Sequence, residues 1–429
     1  MTHIEHVEGR RLCALAPDAG FGTGGQIALP SSYIPFNLLA THGAIYVDTH
    51  DQQRENRHVI FKFTNKGRRD TAWGRGGYVV PGLFPGYSTG NPGYDMAYDT
   101  RTGGLLIGNT ENAVLKVMRL TADGQPDAAW GDNGRIVYSE KKTFLQLGMM
   151  KPLANKRVLI AFDRQQQLGT PFKGTAKPGG ADDVALVRID RLGRFDKTFN
   201  AAKPLTVVAG GYSADVQYDR GVAVSGTENF NDPTFRDLTL NDDGTYHVIT
   251  TTQYGKSFLT PPVRNQGVAF SSRTTTSAES RVVSGDGALI KKKASTYVLK
   301  RDKTYLVGDA SRSNYVVRGA FAVEDNGIAV LANADGDTAL KRIGPDWFSA
   351  VINVLPPGDE EYRPYLAYVV QNDSDQTLAV GSQGELKLYK AGLSRVGEAV
   401  YIEDYPYSVT LDDDGRVVSA APGQLTRLH

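Results

Sequence analysis

An eight-residue pattern returns four times in the first half of the chain, and that recurrence limits the fold more than any other feature. It reads DAGFGTGG from Asp18 to Gly25, DTAWGRGG from Asp70 to Gly77, DAAWGDNG from Asp127 to Gly134 and DKTFNAAK from Asp196 to Lys203. Successive copies begin 52, 57 and 69 residues apart. A period of this size marks a repeated supersecondary unit that buries its apolar face against the next copy. Each octet opens with Asp and carries an aromatic ring at its fourth position: Phe21, Trp73, Trp130 and Phe199. The first three copies have Gly at positions five and eight. A short carboxylate accepts backbone N–H bonds in a turn, Gly reaches positive φ, and the ring brings a large area for burial. The octet is therefore expected to be a tight turn pinned to a core. The fourth copy, with Asn200 and Lys203 in place of the two glycines, is expected to be looser.

The pattern extends upstream. Gly67, Gly124 and Gly193 each lie three residues before the Asp and are preceded by the alternating segments HVIFKF, AVLKVMRL and DVALVRID. Alternation with period two predicts strands with one buried face. A further apolar run ending in small or polar residues recurs eight times: AIYVDT from Ala44, LLIGNT from Leu105, VLIAFD from Val158, VAVSGT from Val222, RVVSGD from Arg281, IAVLAN from Ile328, TLAVGS from Thr377 and RVVSAA from Arg416. Before most of these stands another candidate strand, such as YDMAYD, GAFAVED or YSVTLDD. Four short antiparallel strands repeated about every 54 residues predict an all-β fold, a closed β-propeller of four-stranded blades. Eight blades are expected. Seven is the alternative if Leu259 to Tyr315, which holds SSRTTTSAES and a basic run but no octet, is an insertion. Residues 1–429 then form a single domain. QLTRLH, Gln424 to His429, matches KVMRLT before the third octet. Residues 1–30 and 403–429 are thus expected to share the closing blade, the N-terminal part giving its outer strand, which removes free edges.

Two stretches, DDVALVRIDRLGRFDKTF (Asp182 to Phe199) and AVLKVMRLTADGQPDAAWG (Ala113 to Gly131), run from a strand through a turn to an Asp, an aromatic and, in the second, a Gly. In this the chain resembles the delta-60 repeat family of bacterial propeller-like proteins. The match is close over about residues 11 to 210, weak at FRDLTLNDDGTYHV (Phe235 to Val248), and beyond that only the strand rhythm persists. The resemblance implies the fold. The family has no common activity, so it implies no catalytic residue.

Composition narrows the function classes. With 47 Gly and only 5 Met, the chain is expected to be rich in turns rather than helices. A net charge of +1 argues against a nucleic-acid partner, which needs a clustered positive excess. A single cysteine, Cys13, excludes an intramolecular disulfide and a thiolate metal cluster. No run of about 18 apolar residues is present, and Leu12 to Ala16 is short for the apolar part of a signal peptide. No membrane insertion is expected, and the location is cytoplasmic by default or reached by a non-classical export route.

Local motifs are weak. Gly86 to Gly90, GYSTG, has the form of a nucleophile elbow, but NPGYDMAYD follows and cannot begin a long helix, so a loop is expected. Gly169 to Thr175, GTPFKGT, lacks the Lys-Ser/Thr pair of a phosphate loop and reads as part of a polar hairpin, Arg164 to Asp183. His50, Asp51 and His58 are the one local cluster with zinc-ligand chemistry, and an exposed turn is the preferred explanation. Asn333, Asp335 and Asp337 alternate like a calcium loop without its distal bidentate acid, which again points to a turn. Lys291 to Lys293, with Lys300, Arg301 and Lys303, form a basic cluster read as the solvent face of strands, and Asp412 to Asp414 and Asp359 to Glu361 are read as turn acids. The 21 Tyr suit blade packing as well as sugar- or peptide-binding faces.

The expected function is a non-enzymatic binding or scaffolding propeller, acting as a monomer, with a glycan or protein ligand on inter-blade loops such as Arg164 to Asp183 and Ser271 to Ser280. The alternative is a propeller hydrolase or lyase whose axial site draws residues from several blades and holds a divalent metal, Ca or Zn. No catalytic, cofactor-binding or metal-binding residue is assigned from the sequence.

Overall fold

A computed structural model describes residues 16–54, 57–82, 93–111, 113–141, 143–166, 182–219, 222–260, 269–290, 296–306, 316–323, 327–334, 337–343, 351–355, 368–371, 378–382, 385–389, 395–401 and 408–428. Of 211–232, 253–278 and 296–401 the backbone alone is described. Strand β1 (Gln26–Ala28) stands apart from those that follow it. β2 (Tyr33–Thr41), β3 (Ala44–Asp51), β4 (Arg57–Thr64) and β5 (Tyr78–Val79) are consecutive in one sheet. β6 (Tyr94–Asp99), β7 (Gly104–Glu111), β8 (Val114–Leu120) and β9 (Arg135–Ser139) form the next, and β10 (Thr143–Pro152), β11 (Val158–Gln166), β12 (Asp182–Ile189) and β13 (Leu205–Val208) the third.

A six-stranded sheet follows. β14 (Gly211–Asp219), β15 (Val222–Leu240), β16 (Tyr246–Thr260), β17 (Ala269–Val283) and β18 (Leu289–Ile290) lie in sequence order, and β19 (Thr296–Leu306) also pairs with β17. Two further sheets comprise β20 (Val316–Val323) to β23 (Val351–Leu355), through β21 (Gly327–Ala334) and β22 (Asp337–Ile343), and β24 (Tyr368–Gln371) to β27 (Arg395–Tyr401), through β25 (Leu378–Ser382) and β26 (Glu385–Tyr389). The last three strands, β28 (Ser408–Leu411), β29 (Val417–Ala421) and β30 (Gln424–Leu428), form a sheet with the first in the order β1-β30-β29-β28, with Gln26 opposite Thr426 and Ala28 opposite Gln424. Among the described residues there are thus seven sheets, six of them four-stranded, and the sheet pairings are antiparallel.

Two of the eight apolar runs share one sheet, which accounts for eight runs and seven sheets. VAVSGT begins β15, and RVVSGD closes β17. The segment Leu259 to Tyr315 supplies strands to that sheet and builds none of its own. The run Ser271 to Ser280, expected as a loop, lies within β17, with Ser271 opposite Phe258 on one side and Thr304 on the other. Its β-branched threonines fit a pleated surface better than a turn.

The chain divides into two compact units, residues 1–53, 61–70 and 358–429, and residues 54–60 and 71–357. In the second unit, β11 shows how a period-two pattern feeds two cores. Val158, Ile160 and Phe162 join one cluster with Trp130, Leu147 and Val187, whereas Leu159 and Ala161 join another with Leu186, Phe199, Val248 and Val283. Both faces of this sheet are therefore covered, and the strand reads as an unbroken apolar run.

Candidate functional site

The octets are joints between consecutive repeats. The N–H at the fifth position donates to the carbonyl of the residue before the next repeat's turn glycine: Gly22 to Lys66 (3.0 Å), Gly74 to Asp123 (2.7 Å), Gly131 to Leu192 (2.9 Å) and Asn200 to Asp286 (3.0 Å). Those turn glycines sit where no side chain fits. A Cβ on Gly124 would lie 2.8 Å from the Trp73 ring, one on Gly287 2.9 Å from the Phe199 ring, and one on Gly193 2.2 Å from the Gly131 nitrogen. Phe21, Trp73, Trp130 and Phe199 are all buried beneath this seam. The fourth copy keeps its joint and is not looser in this respect. Asn200, Ala201 and Ala202 enter the left-handed region at φ of 43°, 52° and 62° to make it, a backbone that Asn tolerates and that is unfavourable for the two alanines.

The octet carboxylates hold more than their own turns. Asp18, Asp127 and Asp196 accept the N–H two residues on, from Gly20, Ala129 and Thr198. Each octet Asp also pairs with a cation, three of them on the strand just before it, Lys62 with Asp70 (3.0 Å), Arg119 with Asp127 (3.3 Å) and Arg188 with Asp196 (2.8 Å), and Asp18 with Arg427 of the last strand, β30 (2.7 Å). The guanidinium groups of Arg427 and Arg188 lie 4.6 and 5.1 Å from the Phe21 and Phe199 ring centres, a cation–π geometry. Burial works to raise the Asp196 carboxyl, but bonds from Thr198 and the Arg188 guanidinium outweigh it and hold the group below its ordinary value. The sequence carried a signal for these pairs, a cation eight residues before the Asp at Lys62, Arg119 and Arg188.

Polar ends of the second strands perform a similar task. The Leu147 N–H donates to Thr110 Oγ1 (2.7 Å) and the Phe235 N–H to Asp163 Oδ1 (2.8 Å), each spanning two sheets. Asp95 on β6 accepts the Met150 N–H from β10 at 2.6 Å. Burial pushes its carboxyl up to about 7, against the lowering effect of that bond, the Lys151 charge and the Met96 N–H. His247 contacts Ser280 Oγ, and burial lowers its basicity.

The motifs singled out in the sequence do not converge on these positions. His50, Asp51 and His58 are buried, not exposed as the turn reading required. His50 and Asp51 belong to β3 and His58 to β4, so strand packing covers them. Phe36 meets His50 edge-on at 4.5 Å, and Tyr94 stacks on His58 at 5.6 Å. Asn333 and Asp337 flank the β21–β22 hairpin, with Ala334 opposite Asp337, while Asp335 lies outside the described residues. Lys300, Arg301 and Lys303 fall on β19. Asp412 accepts the N–H groups of Asp414 and Arg416, as a turn acid does, and is buried against Arg416 and Arg427. Gly86 to Gly90, Gly169 to Thr175, Lys291 to Lys293 and Asp359 to Glu361 lie outside the described residues. Among the described residues no three His, Cys, Asp or Glu side chains group as a metal site.

A groove of about 450 Å³ opens beside the third octet, between Gly131, Asp132 and the start of β9 on one side and the turn Leu192 to Phe195 on the other. Val137 is 65% exposed and Leu192 44%, and Ile136 and Phe195 line the same groove half-buried. At the place of Leu192 the other three joints carry Lys66, Asp123 and Asp286. The third joint is thus the one of these four that presents an aliphatic side chain there. Arg191 and Arg194 on either side of Leu192 are exposed, as are Arg135 and Asp132. Position, not motif, marks this site: its chemistry lies in departures from the repeat.

No protein-family model matches the chain, and no curated protein matches it. Among solved structures it is similar to a streptogramin B lyase, at 11% identity over 94% of this chain and 96% of that one, with a TM-score of 0.45. It is also similar to the hydrazine synthase of Kuenenia stuttgartiensis (11% identity, 95% and 98% covered, TM-score 0.47) and to the Pan2 WD40 domain of Neurospora crassa (12% identity, 94% and 93% covered, TM-score 0.43).

Proposed function

We propose that this chain is a seven-bladed β-propeller that binds a protein ligand and is not an enzyme. Support for the propeller comes from the seven sheets, the repeated joint between consecutive octets and the pairing of β1 with β30. Seven blades are preferred to eight because two of the apolar runs lie in one sheet. The observation that carries the binding reading is the groove at the third joint, where Val137 and Leu192 remain exposed beside cationic side chains. An apolar patch rimmed by polar groups on an otherwise repeated surface is the usual form of a protein-binding site. A peptide suits it better than a glycan. Sugar-binding faces rely on exposed aromatic rings, and the octet rings are buried.

The acids whose titration is shifted in these joints are engaged in structure, Asp95 with the Met150 N–H of the next sheet and Asp196 with Arg188 of its own repeat. That favours a structural over a catalytic role for them. Parallel screening of the full-length protein against a displayed peptide library and a glycan array tests the reading. Enrichment of peptides, reduced by Leu192→Asp, is expected. Blank screens combined with turnover of a substrate would overturn it in favour of a hydrolase or lyase.

A further inference from the structure

The groove is bordered by a strand edge whose hydrogen-bonding groups can be assigned. The Arg119 N–H donates to the Gly134 carbonyl, so Gly134 faces β8. Arg135 instead exchanges its N–H and C=O with Asp132, on the side away from β8. Along an antiparallel strand these directions alternate. With Met118 opposite Arg135 and Lys116 opposite Val137, the N–H and C=O of Val137 and Ser139 therefore face away from β8. Neither has a backbone partner on that side among the described residues, and β9 is the terminal strand of its sheet. Edge strands next to the other octets are shorter, three residues in β1, two in β5 and four in β13, against five in β9. Short strands and edge lysines are common defences against pairing, and β9 has no lysine.

Side chains around this edge define what could lie there. Ile136, Phe195 and Leu192 give an apolar floor. Arg191, Arg194 and Lys197 are exposed along the neighbouring turn, while Asp190 is occupied by the N–H groups of Leu192 and Arg194 and Asp196 by Arg188. With Asp190 counted against these three cations and Asp196 paired with Arg188, the turn still carries net positive charge beside the groove. Asp132 lines the groove beside the octet, so an acidic group is favoured near Arg194 and disfavoured next to Asp132.

We infer that the groove takes an extended acidic peptide from a protein partner, which adds as a strand along the Val137–Ser139 edge of β9 and seats an aliphatic side chain against Leu192 and an acidic one beside Arg194. This rests on the protein-binding reading above. Main-chain bonds to the edge would supply the pose, and the apolar floor and cationic turn the choice of sequence.

The test is to pan a displayed peptide library on the full chain and titrate an enriched synthetic peptide against the parent, Val137→Pro and Arg194→Glu proteins at low and high salt. Enriched peptides should be acidic with one large aliphatic residue. Val137→Pro, which removes an outward N–H, should abolish binding, and Arg194→Glu should weaken it by about fivefold or more at low salt and less at high salt. Proline on an edge strand is compatible with the fold. If Val137→Pro lowered the melting temperature, Ser139→Pro would make the same test at the other outward residue. Peptide binding indifferent to both prolines, or enriched peptides without acidic character, would overturn strand addition and leave the protein-binding reading standing. No enrichment of any peptide would overturn both. A concentration-dependent dimer that Val137→Pro dissolves would overturn the inference in favour of a second copy of the chain.

Discussion

Replacing Asp95 by Asn should make the protein more stable at pH 8 and leave it unchanged at pH 4. The carboxyl is displaced from 3.8 to about 7 in the folded chain, chiefly by burial. Its folded value lies above its unfolded one, so between these limits the folded state binds more protons than the unfolded state. The stability associated with the neutral acid is complete below about pH 4 and is lost as pH rises through about 7. One unit of displacement corresponds to about 1.4 kcal/mol, so the full span has an upper bound of about 4 kcal/mol. Asp95 retains some exposure, and about 2 kcal/mol is the working magnitude after screening by solvent. Asn keeps an oxygen in place to accept the Met150 N–H while removing the charge. Melting curves of parent and variant at half-unit pH steps are the assay. They should coincide near pH 4 and separate by about 3 °C at pH 8, with Asp95→Asn the higher. Parallel curves, or a variant less stable at pH 8 than at pH 4 relative to the parent, would refute the reasoning.

Two further changes test the joints. Gly193→Ala should destabilise by more than about 3 kcal/mol, because φ is 77° and the new Cβ would meet the Gly131 nitrogen at 2.2 Å; Gly43→Ala, at φ 70° with open space, should lose only about 1 kcal/mol. Equal losses by urea unfolding would show that the seam is not close-packed. Asp196→Ala should remove about 3–5 kcal/mol at neutral pH by leaving the buried Arg188 guanidinium without its carboxylate, and the difference from the parent should shrink in acid as the parent's lowered carboxyl protonates. Leu192→Asp should leave unfolding within about 0.5 kcal/mol of the parent, since that side chain is exposed, and a larger loss would make Leu192 a packing residue.

Much of the fold was legible because it depends on local, repeated chemistry. The octet rings are buried and the octet glycines at 22, 25, 74, 77, 131 and 134 hold positive φ, as the repeat implied. The sheet count was harder to read, since VAVSGT and RVVSGD look like separate units and only long-range pairing through β16 places them together. His50 and His58 misled for a related reason: a polar segment resembles an exposed turn, but burial depends on what packs over it. The groove was illegible in advance. Leu192 is unremarkable in a strand-rich sequence and gains meaning only when Lys66, Asp123 and Asp286 are seen to occupy the same place in other joints.

Removal of Gln424 to His429 tests the proposal that the joined repeats close into one ring and leave binding to the place where they differ. These residues contain β30, which pairs with β1 on one side and β29 on the other, and Arg427, which binds the first octet through Asp18. The parent is predicted to melt in one transition and the truncated chain to melt earlier across all repeats, with peptide binding at the groove weakened although β9 is untouched. A truncated protein that melts at the parent's temperature in one transition would contradict the account.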